Sequence, residues 1–201
     1  MATVLPPVRD DISGTAPNPS NAVARTAFGV LHDYLLNLLG AAGTPVAART
    51  ALEVSSRFYL QARDEKANGF GGGASVAGDQ TRTLNTLVAN TITGASLATN
   101  QITLPAGTYR VRAHAPAFNV ATHQLRLTNV TDNVVALRGT NEYTFATVQT
   151  RSIVEGRFTI AAPKAFVLTH YTNQVVAGNG LGVGIGIGVI ENYTTIEIWQ
   201  E

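Results

Sequence analysis

Two stretches of the chain place aromatic rings beside amide or carboxylate groups, a combination that suits the binding of sugars. Sugar recognition uses apolar ring faces next to planar hydrogen-bonding groups, and binding groups tend to lie on loops carried by a rigid scaffold. The pattern therefore indicates a carbohydrate-binding site with these members: Asn119, Asn141, Glu142, Tyr143 and Phe145. Packing of Tyr143 and Phe145 in the core beneath a loop would explain the same residues.

Residues for catalysis or metal binding show no local pattern. His114, His123 and His170 fall on or beside strand-like runs without a second ligand at short spacing, so only a site assembled by the fold could bind a metal. The glutamates are scattered, and no G-x-S-x-G nucleophile elbow occurs. We therefore expect no enzyme activity, no cofactor and no metal. Arg110, Arg112 and Arg126 are interpreted as a solvated or subunit-facing stripe.

Residues 181–190 alternate apolar side chains with glycine, which is the period of a strand. The four glycines would leave one face nearly bare, so we expect that face to pack closely against an opposing sheet, a neighbouring subunit or an aromatic ring. Those glycines are Gly182, Gly184, Gly186 and Gly188. The spacing does not match the dinucleotide-binding G-x-G-x-x-G motif, and a strand rather than a helix is expected to follow.

Composition restricts the classes of function. Only 13% of the 201 residues are charged, compared with about 25% in an average domain, so polar uncharged residues or other subunits must cover much of the surface. The net charge is +1 without a basic cluster, which argues against nucleic-acid binding. The N-terminus lacks the pattern of a signal peptide, and the apolar runs are too short to insert into a membrane.

The chain changes character along its length. Residues 1–19 are rich in proline and predict an extended arm, and helical spacing follows in 21–39, with Thr44 and Pro45 starting a second short helix. Residues 61–80 are glycine-rich and predict a linker. Nine short strands with dense turns then predict an antiparallel β-sandwich. The predicted strands are 83–91, 100–104, 108–114, 124–130, 134–138, 149–160, 165–172, 181–190 and 193–200.

Two parts of the chain resemble known families. Residues 44–52, TPVAARTAL, are similar to segments of tail-fibre and spike proteins of tailed bacteriophages, with Glu53 where those segments usually have glycine. Residues 104–111, LPAGTYRV, resemble the segment that opens a strand in jelly-roll domains of the tumour-necrosis-factor and complement-head type. Residues 124–132 and 196–199 look like their counterparts in phage-borne versions. This second resemblance covers residues 80–201.

The resemblance implies a domain organisation and a function. The N-terminal arm and helices, residues 1–60, would attach to a particle, with residues 1–54 contacting other virion proteins. A linker at 61–80 would lead to a jelly-roll head at 81–201 that forms a homotrimer and folds without the preceding residues. The expected role is a tail fibre or head spike of a phage or gene-transfer agent, made in the bacterial cytoplasm, that binds a host-surface glycan. A structural adaptor and a polysaccharide-degrading enzyme are the alternatives.

Overall fold

The computed structural model describes Gly29, Asp33 and residues 58–201. Gly29 and Asp33 are both helical, as the predicted helix at 21–39 requires. The predicted arm, the second predicted helix and all other residues of the proposed attachment region 1–54 lie outside the described residues. The fold described here is that of the compact unit Arg57–Glu201.

This unit is built from antiparallel strands joined by turns. The strands are β1 (Phe58–Lys66), β2 (Gly78–Thr81), β3 (Thr86–Asn90), β4 (Ser96–Ala98), β5 (Gln101–Leu104), β6 (Gly107–Phe118), β7 (Ala121–Asn129), β8 (Val134–Thr144), β9 (Gln149–Ile160), β10 (Lys164–Thr172) and β11 (Glu191–Gln200). The first sheet has the order β3-β1-β11-β6-β9, and the second has the order β4-β5-β10-β7-β8, with β2 also paired to β10. Strands distant in sequence become neighbours, which defines an antiparallel jelly roll. The predicted fold class is confirmed.

The core lies between the two sheets because the strands alternate inward apolar and outward polar residues. In β7, for example, Leu125 and Leu127 are buried, whereas Gln124 and Arg126 face outward. Tyr109 and Phe158 from the first sheet and Phe166 from the second bring their rings together, with centroid separations of 5.7 and 5.0 Å. These contacts join the two sheets and fix the outward faces on which binding groups lie.

Residues 58–66 form a strand at the interior of the first sheet, where the sequence predicted that a linker at 61–80 would begin. β1 pairs with β11 on one side and β3 on the other. Its inward side chains Leu60 and Ala62 are fully buried, and Asp64 follows them on the same face. The strand ends in the charged residues Asp64 to Lys66, so the sequence does not show that every second residue of this strand is buried. Only residues 67–77 connect β1 to β2.

The prediction of a strand at 181–190 is wrong. Gly182, Gly186 and Gly188 have φ values of +134°, +64° and +89°, in the left-handed region that an extended strand does not use. Their neighbours form a loop whose amides bond to side chains instead of to another strand.

In contrast, β8 continues to Thr144, so most of the connection predicted around residues 141–145 is strand.

The two ends of the sandwich differ. β1 begins at Phe58 opposite Gln200 and ends at Lys66 opposite Glu191, so the chain enters and leaves at one end. The other end carries the distal loops, which we define as residues 67–77, 119–120, 145–148 and 173–190. Backbone hydrogen bonds from Gly72 to Gly182 and from Gly73 to Gly178 tie two of these loops together.

Candidate functional site

Four polar side chains form a row across the outward face of the second sheet. Asp79 of β2 lies opposite Tyr171 of β10, Tyr171 lies opposite Gln124 of β7, and Gln124 lies opposite Asn141 of β8. Residues directly opposite each other in antiparallel strands share a face. The pairing register therefore places a carboxylate, a phenol and two amides side by side, and we call Asp79, Tyr171, Gln124 and Asn141 the cross-strand row.

Arg126 connects the members of the cross-strand row. Its Nε donates to Gln124 Oε1 at 2.8 Å, its Nη1 lies 3.2 Å from both carboxylate oxygens of Asp79, and its guanidinium lies 5.7 Å from the centroid of the Tyr171 ring. Gln124 Nε2 in turn donates to Asn141 Oδ1 at 2.5 Å. These hydrogen bonds hold the side chains of the row in fixed orientations at the surface.

The predicted carbohydrate-binding residues divide into two groups. Tyr143, two residues beyond Asn141 on the same face, and Phe145 in the following turn are 60% and 61% exposed. Glu142 lies on the opposite face of β8, beside buried His123. Asn119 supports the turn, because its side-chain oxygen accepts from the amide of Ala146 at 2.9 Å. The structure therefore places Asn141, Tyr143 and Phe145 at the surface together, and Glu142 and Asn119 elsewhere.

Sequence reasoning did not find the other members of the row, and it interpreted Arg126 as part of a solvated stripe. Asp79, Gln124 and Tyr171 are far apart in sequence and meet only through strand pairing. One signal was present in β7, where Gln124, Arg126 and Thr128 alternate with two buried leucines. That alternation predicts an outward polar face but not its partners.

Behind the row, the interior face carries buried polar groups. His123 Nδ1 lies 3.0 Å from His170 Nε2, and His123 Nε2 lies 2.8 Å from the hydroxyl of Thr150 in the opposite sheet. Burial lowers the pKa of His123 to about 4 and that of His170 to about 2, and the charge of Arg82 contributes to both decreases. Both imidazoles are therefore neutral near pH 7, and their hydrogen bonds join the two sheets.

Arg82 is fully buried and holds the distal end to the strands. Its Nε donates to Thr194 Oγ1 at 2.8 Å, and its Nη2 donates to the carbonyl of Leu181 at 3.0 Å. Burial lowers the pKa of Arg82 to about 10, while the nearby Asp64 carboxylate opposes that decrease. Buried charges require such partners because they have lost water.

Within the described residues, no group of three potential ligands could bind a metal ion.

Glu191 organises the loop that precedes β11. Its Oε1 accepts backbone N–H groups from Gly186 at 2.8 Å, Gly69 at 3.0 Å and Ile185 at 3.1 Å. The bond from Gly186 is the main cause that lowers the pKa of the Glu191 carboxyl, followed by the bond from Gly69. One carboxylate therefore connects the loop at 181–190 to the loop at 67–77.

Replacing Glu191 by glutamine is expected to loosen this loop without unfolding the sandwich. A neutral amide oxygen accepts weaker hydrogen bonds than a carboxylate, so hydrogen exchange at Gly69, Ile185 and Gly186 should accelerate by about tenfold. In the parent, the same protection should persist as the pH falls below 4.5 and be lost as it passes through the lowered pKa, because only the charged form is stabilised. Glu155→Gln, at an exposed ion pair with Arg112, is the control. Unchanged exchange in Glu191→Gln would contradict this role.

The four glycines of residues 181–190 have different surroundings. A Cβ on Gly182 would clash with the Tyr193 ring, and one on Gly184 would lie 2.8 Å from the carbonyl oxygen of Gly69. A Cβ on Gly186 would make only ordinary contact with the Cα of Gly69 at 3.9 Å, and one on Gly188 would meet open space, so their positive φ values are the constraint. The close neighbours within this chain are therefore an aromatic ring and a loop backbone.

No protein-family model and no curated protein matches the chain. Similar solved structures include murine APRIL at pH 5.0, with 9% identity and a TM-score of 0.49, and at pH 8.5, with 7% identity and a TM-score of 0.48; each comparison covers 73% of this chain and 100% of that chain. The globular domain of zebrafish complement 1qA has 16% identity and a TM-score of 0.43, covering 72% of this chain and 97% of that chain. The jelly-roll assignment rests on the strand order given above.

Proposed function

We propose that the chain is a structural virion component, either a tail fibre or a spike, whose trimeric head binds a polysaccharide of the host surface. Residues 1–54 would attach it to other virion proteins. The sequence 44–52, which resembles segments of phage tail fibres and spikes, supports the setting. Within the described residues, no helix is long and apolar enough to cross a membrane.

The proposed binding of polysaccharide is supported mainly by the cross-strand row with Tyr143 at its edge. Tyr143 offers an exposed ring face, Gln124 and Asn141 offer planar amides, and Asp79 with Arg126 offers an acceptor and a donor of opposite charge. Sugars present apolar ring faces and many hydroxyl groups, so these groups match both parts of a saccharide. The outward face of a sheet suits an extended polysaccharide better than a small molecule that needs an enclosed pocket.

The same surface favours binding over cleavage. Hydrolysis of a glycosidic bond generally needs two carboxyl groups on either side of the bond. In the row, Asp79 is the carboxylate and is paired to Arg126, while Glu142 lies on the other face of its strand. The main alternative is an adaptor, in which the head receives another fibre and binds no sugar. A glycan array separates binder from adaptor.

Replacing both Tyr143 and Phe145 by alanine is expected to weaken attachment at least tenfold. Both side chains are exposed, so the free energy of unfolding should change by no more than about 1 kcal/mol. Attachment is measured with labelled full-length protein on host cells and on immobilised polysaccharide, and stability is measured by chemical denaturation.

The control for this variant is Phe58→Ala, which removes a partly exposed ring from the opposite end of the sandwich. It should bind as the parent does. Retained attachment in the double variant would contradict a role for these rings. A loss of several kcal/mol of stability, as seen for buried aromatic residues cut to alanine, would show that they support the fold instead.

A further inference from the structure

Nine large apolar side chains project from the distal loops into solvent, and five of them are Phe70 and the four within residues 185–190. We call Phe70, Ile185, Ile187, Val189 and Ile190 the apolar tip, and each is between 57% and 69% exposed. The loops that carry them touch, since a Cβ on Gly184 would lie against the backbone of Gly69. The five side chains therefore form one region at the end of the sandwich opposite Phe58 and Gln200.

The apolar tip is held in place by hydrogen bonds. Three backbone amides around it, those of Gly69, Ile185 and Gly186, donate to Glu191. The amide of Gly188 donates to Asn68 Oδ1 at 2.7 Å, and the Tyr193 hydroxyl donates to the carbonyl of Phe70 at 2.5 Å. A fixed loop that exposes aliphatic residues loses little conformational entropy on binding, which is the property of a preorganised interface.

Charge distinguishes the partners that could cover this region. The distal loops, residues 67–77, 119–120, 145–148 and 173–190, contain no Asp, Glu, Lys or Arg. Binding to an anionic bilayer usually involves Lys or Arg near the surface, and the five residues of the apolar tip have no hydrogen-bonding side chain to offer a sugar. Contact between identical copies around a symmetry axis instead brings each residue close to its own equivalents. A charge there would be repeated beside itself, so an uncharged apolar surface suits such a contact.

We propose that the apolar tip is a contact between copies of this chain, at which the loops of neighbouring subunits meet around the symmetry axis of the assembly. This inference rests on the trimer of the proposed function and assigns one of its contact surfaces. The tip exposes on the order of 500 Å² of apolar surface, comparable to the largest apolar patch of a typical monomer, which is often functional. That area supplies a large part of the roughly 800 Å² per partner that a standard interface buries.

The test compares the mass of the full chain and its variants by light scattering over a concentration series. Ile187→Asp should dissociate the assembly from three chains to one at concentrations where the parent stays assembled, and Ile187→Lys should do the same. Mixing the two variants in equal amounts should recover part of the assembly, because a mixed trimer has two opposite-charge pairs and only one like-charge pair at position 187. Val134→Asp, which changes an exposed valine of β8, is the control and should remain assembled. Circular dichroism and thermal melts confirm that each variant is folded.

Each outcome has a distinct meaning. If the parent is trimeric and Ile187→Asp remains trimeric, the tip is not a subunit contact, although the proposed trimer stands. A monomeric parent would overturn both the proposed trimer and this inference. If the mixture assembles no better than either charged variant alone, the residues at position 187 do not face each other. Binding of a monomeric parent to phosphatidylcholine vesicles, lost in Ile187→Asp, would replace the proposal with a lipid contact.

Discussion

A chain shortened to begin at Thr81 is expected to be unfolded, whereas one that begins at Arg57 should keep the sandwich. Removing β1 takes a strand from the interior of the first sheet and exposes the ladder edges of β11 and β3. It also leaves a cavity where fully buried Leu60 packed. Cutting one buried leucine to alanine costs about 2–5 kcal/mol, and whole domains are stable by only about 5–15 kcal/mol. Loss of the entire strand therefore exceeds the available stability.

Circular dichroism and the dispersion of amide signals in NMR spectra distinguish the two shortened chains. A third chain that begins at Arg57 and carries Leu60→Ala should be folded but less stable by several kcal/mol. A cooperative thermal transition in the chain that begins at Thr81 would show that β1 is dispensable, and the head domain would then begin where the sequence alone predicted.

Acid is expected to destabilise the sandwich before most carboxylates titrate, because His123 and His170 stay neutral when folded. Their pKa values in the fold are about 4 and about 2, whereas an unfolded histidine titrates near 6.5. Between these values the unfolded chain binds more protons, so the free energy of unfolding decreases as the pH falls below 6.5. The stability that the two neutral imidazoles contribute is fully present above pH 6.5. We expect a loss of roughly 2–4 kcal/mol between pH 7 and pH 5.

Chemical denaturation at several pH values measures this slope. In the double variant His123→Leu, His170→Leu the free energy of unfolding should decrease much less between pH 7 and pH 5, whatever its value at pH 7, and the remainder comes from His114, whose pKa is also lowered by burial. His114→Gln changes a histidine of the other sheet that is only partly buried, and it should keep most of the parent's slope. An equally steep slope in the double variant would assign the acid sensitivity to other groups. One such group is His114, whose pKa is also lowered by burial. The charged groups that face the pair are Arg82, which lowers both pKa values, and Glu142, which raises that of His123.

The fold class was predictable because most strands show an alternation of apolar and polar residues and are separated by recognisable turns. β9 matches its prediction at both ends, and β10 differs by one residue at its start. The errors occur where a local pattern had a cause other than the one assumed. In β1, buried Asp64 belongs to the inward face but looked like part of a charged, solvent-facing segment. At 181–190, alternating glycine has the period of a strand, yet three of those glycines adopt positive φ in a loop.

The candidate site was only partly accessible from the sequence for a different reason. Tyr143 and Phe145 are exposed aromatics in a short segment, so composition alone could single them out. The cross-strand row depends on register, which places Asp79 and Asn141 on the same line through two intermediate strands. A shift of one residue in any pairing would move a member of the row to the core side. No local pattern specifies a relationship of that kind.

The adjacency of Phe58 and Gln200 has a practical consequence for engineering and for evolution. Because residue 58 pairs with residue 200, segments that precede and follow the sandwich join it at one place. A domain connected in this way can be exchanged as a cassette, since a replacement needs only two neighbouring ends of similar spacing. Recombination at such a junction would join one N-terminal region to a succession of different sandwich domains. A reporter protein fused after Gln200 would lie beside that junction. Phe145 lies at the opposite end of the sandwich, a full strand length away.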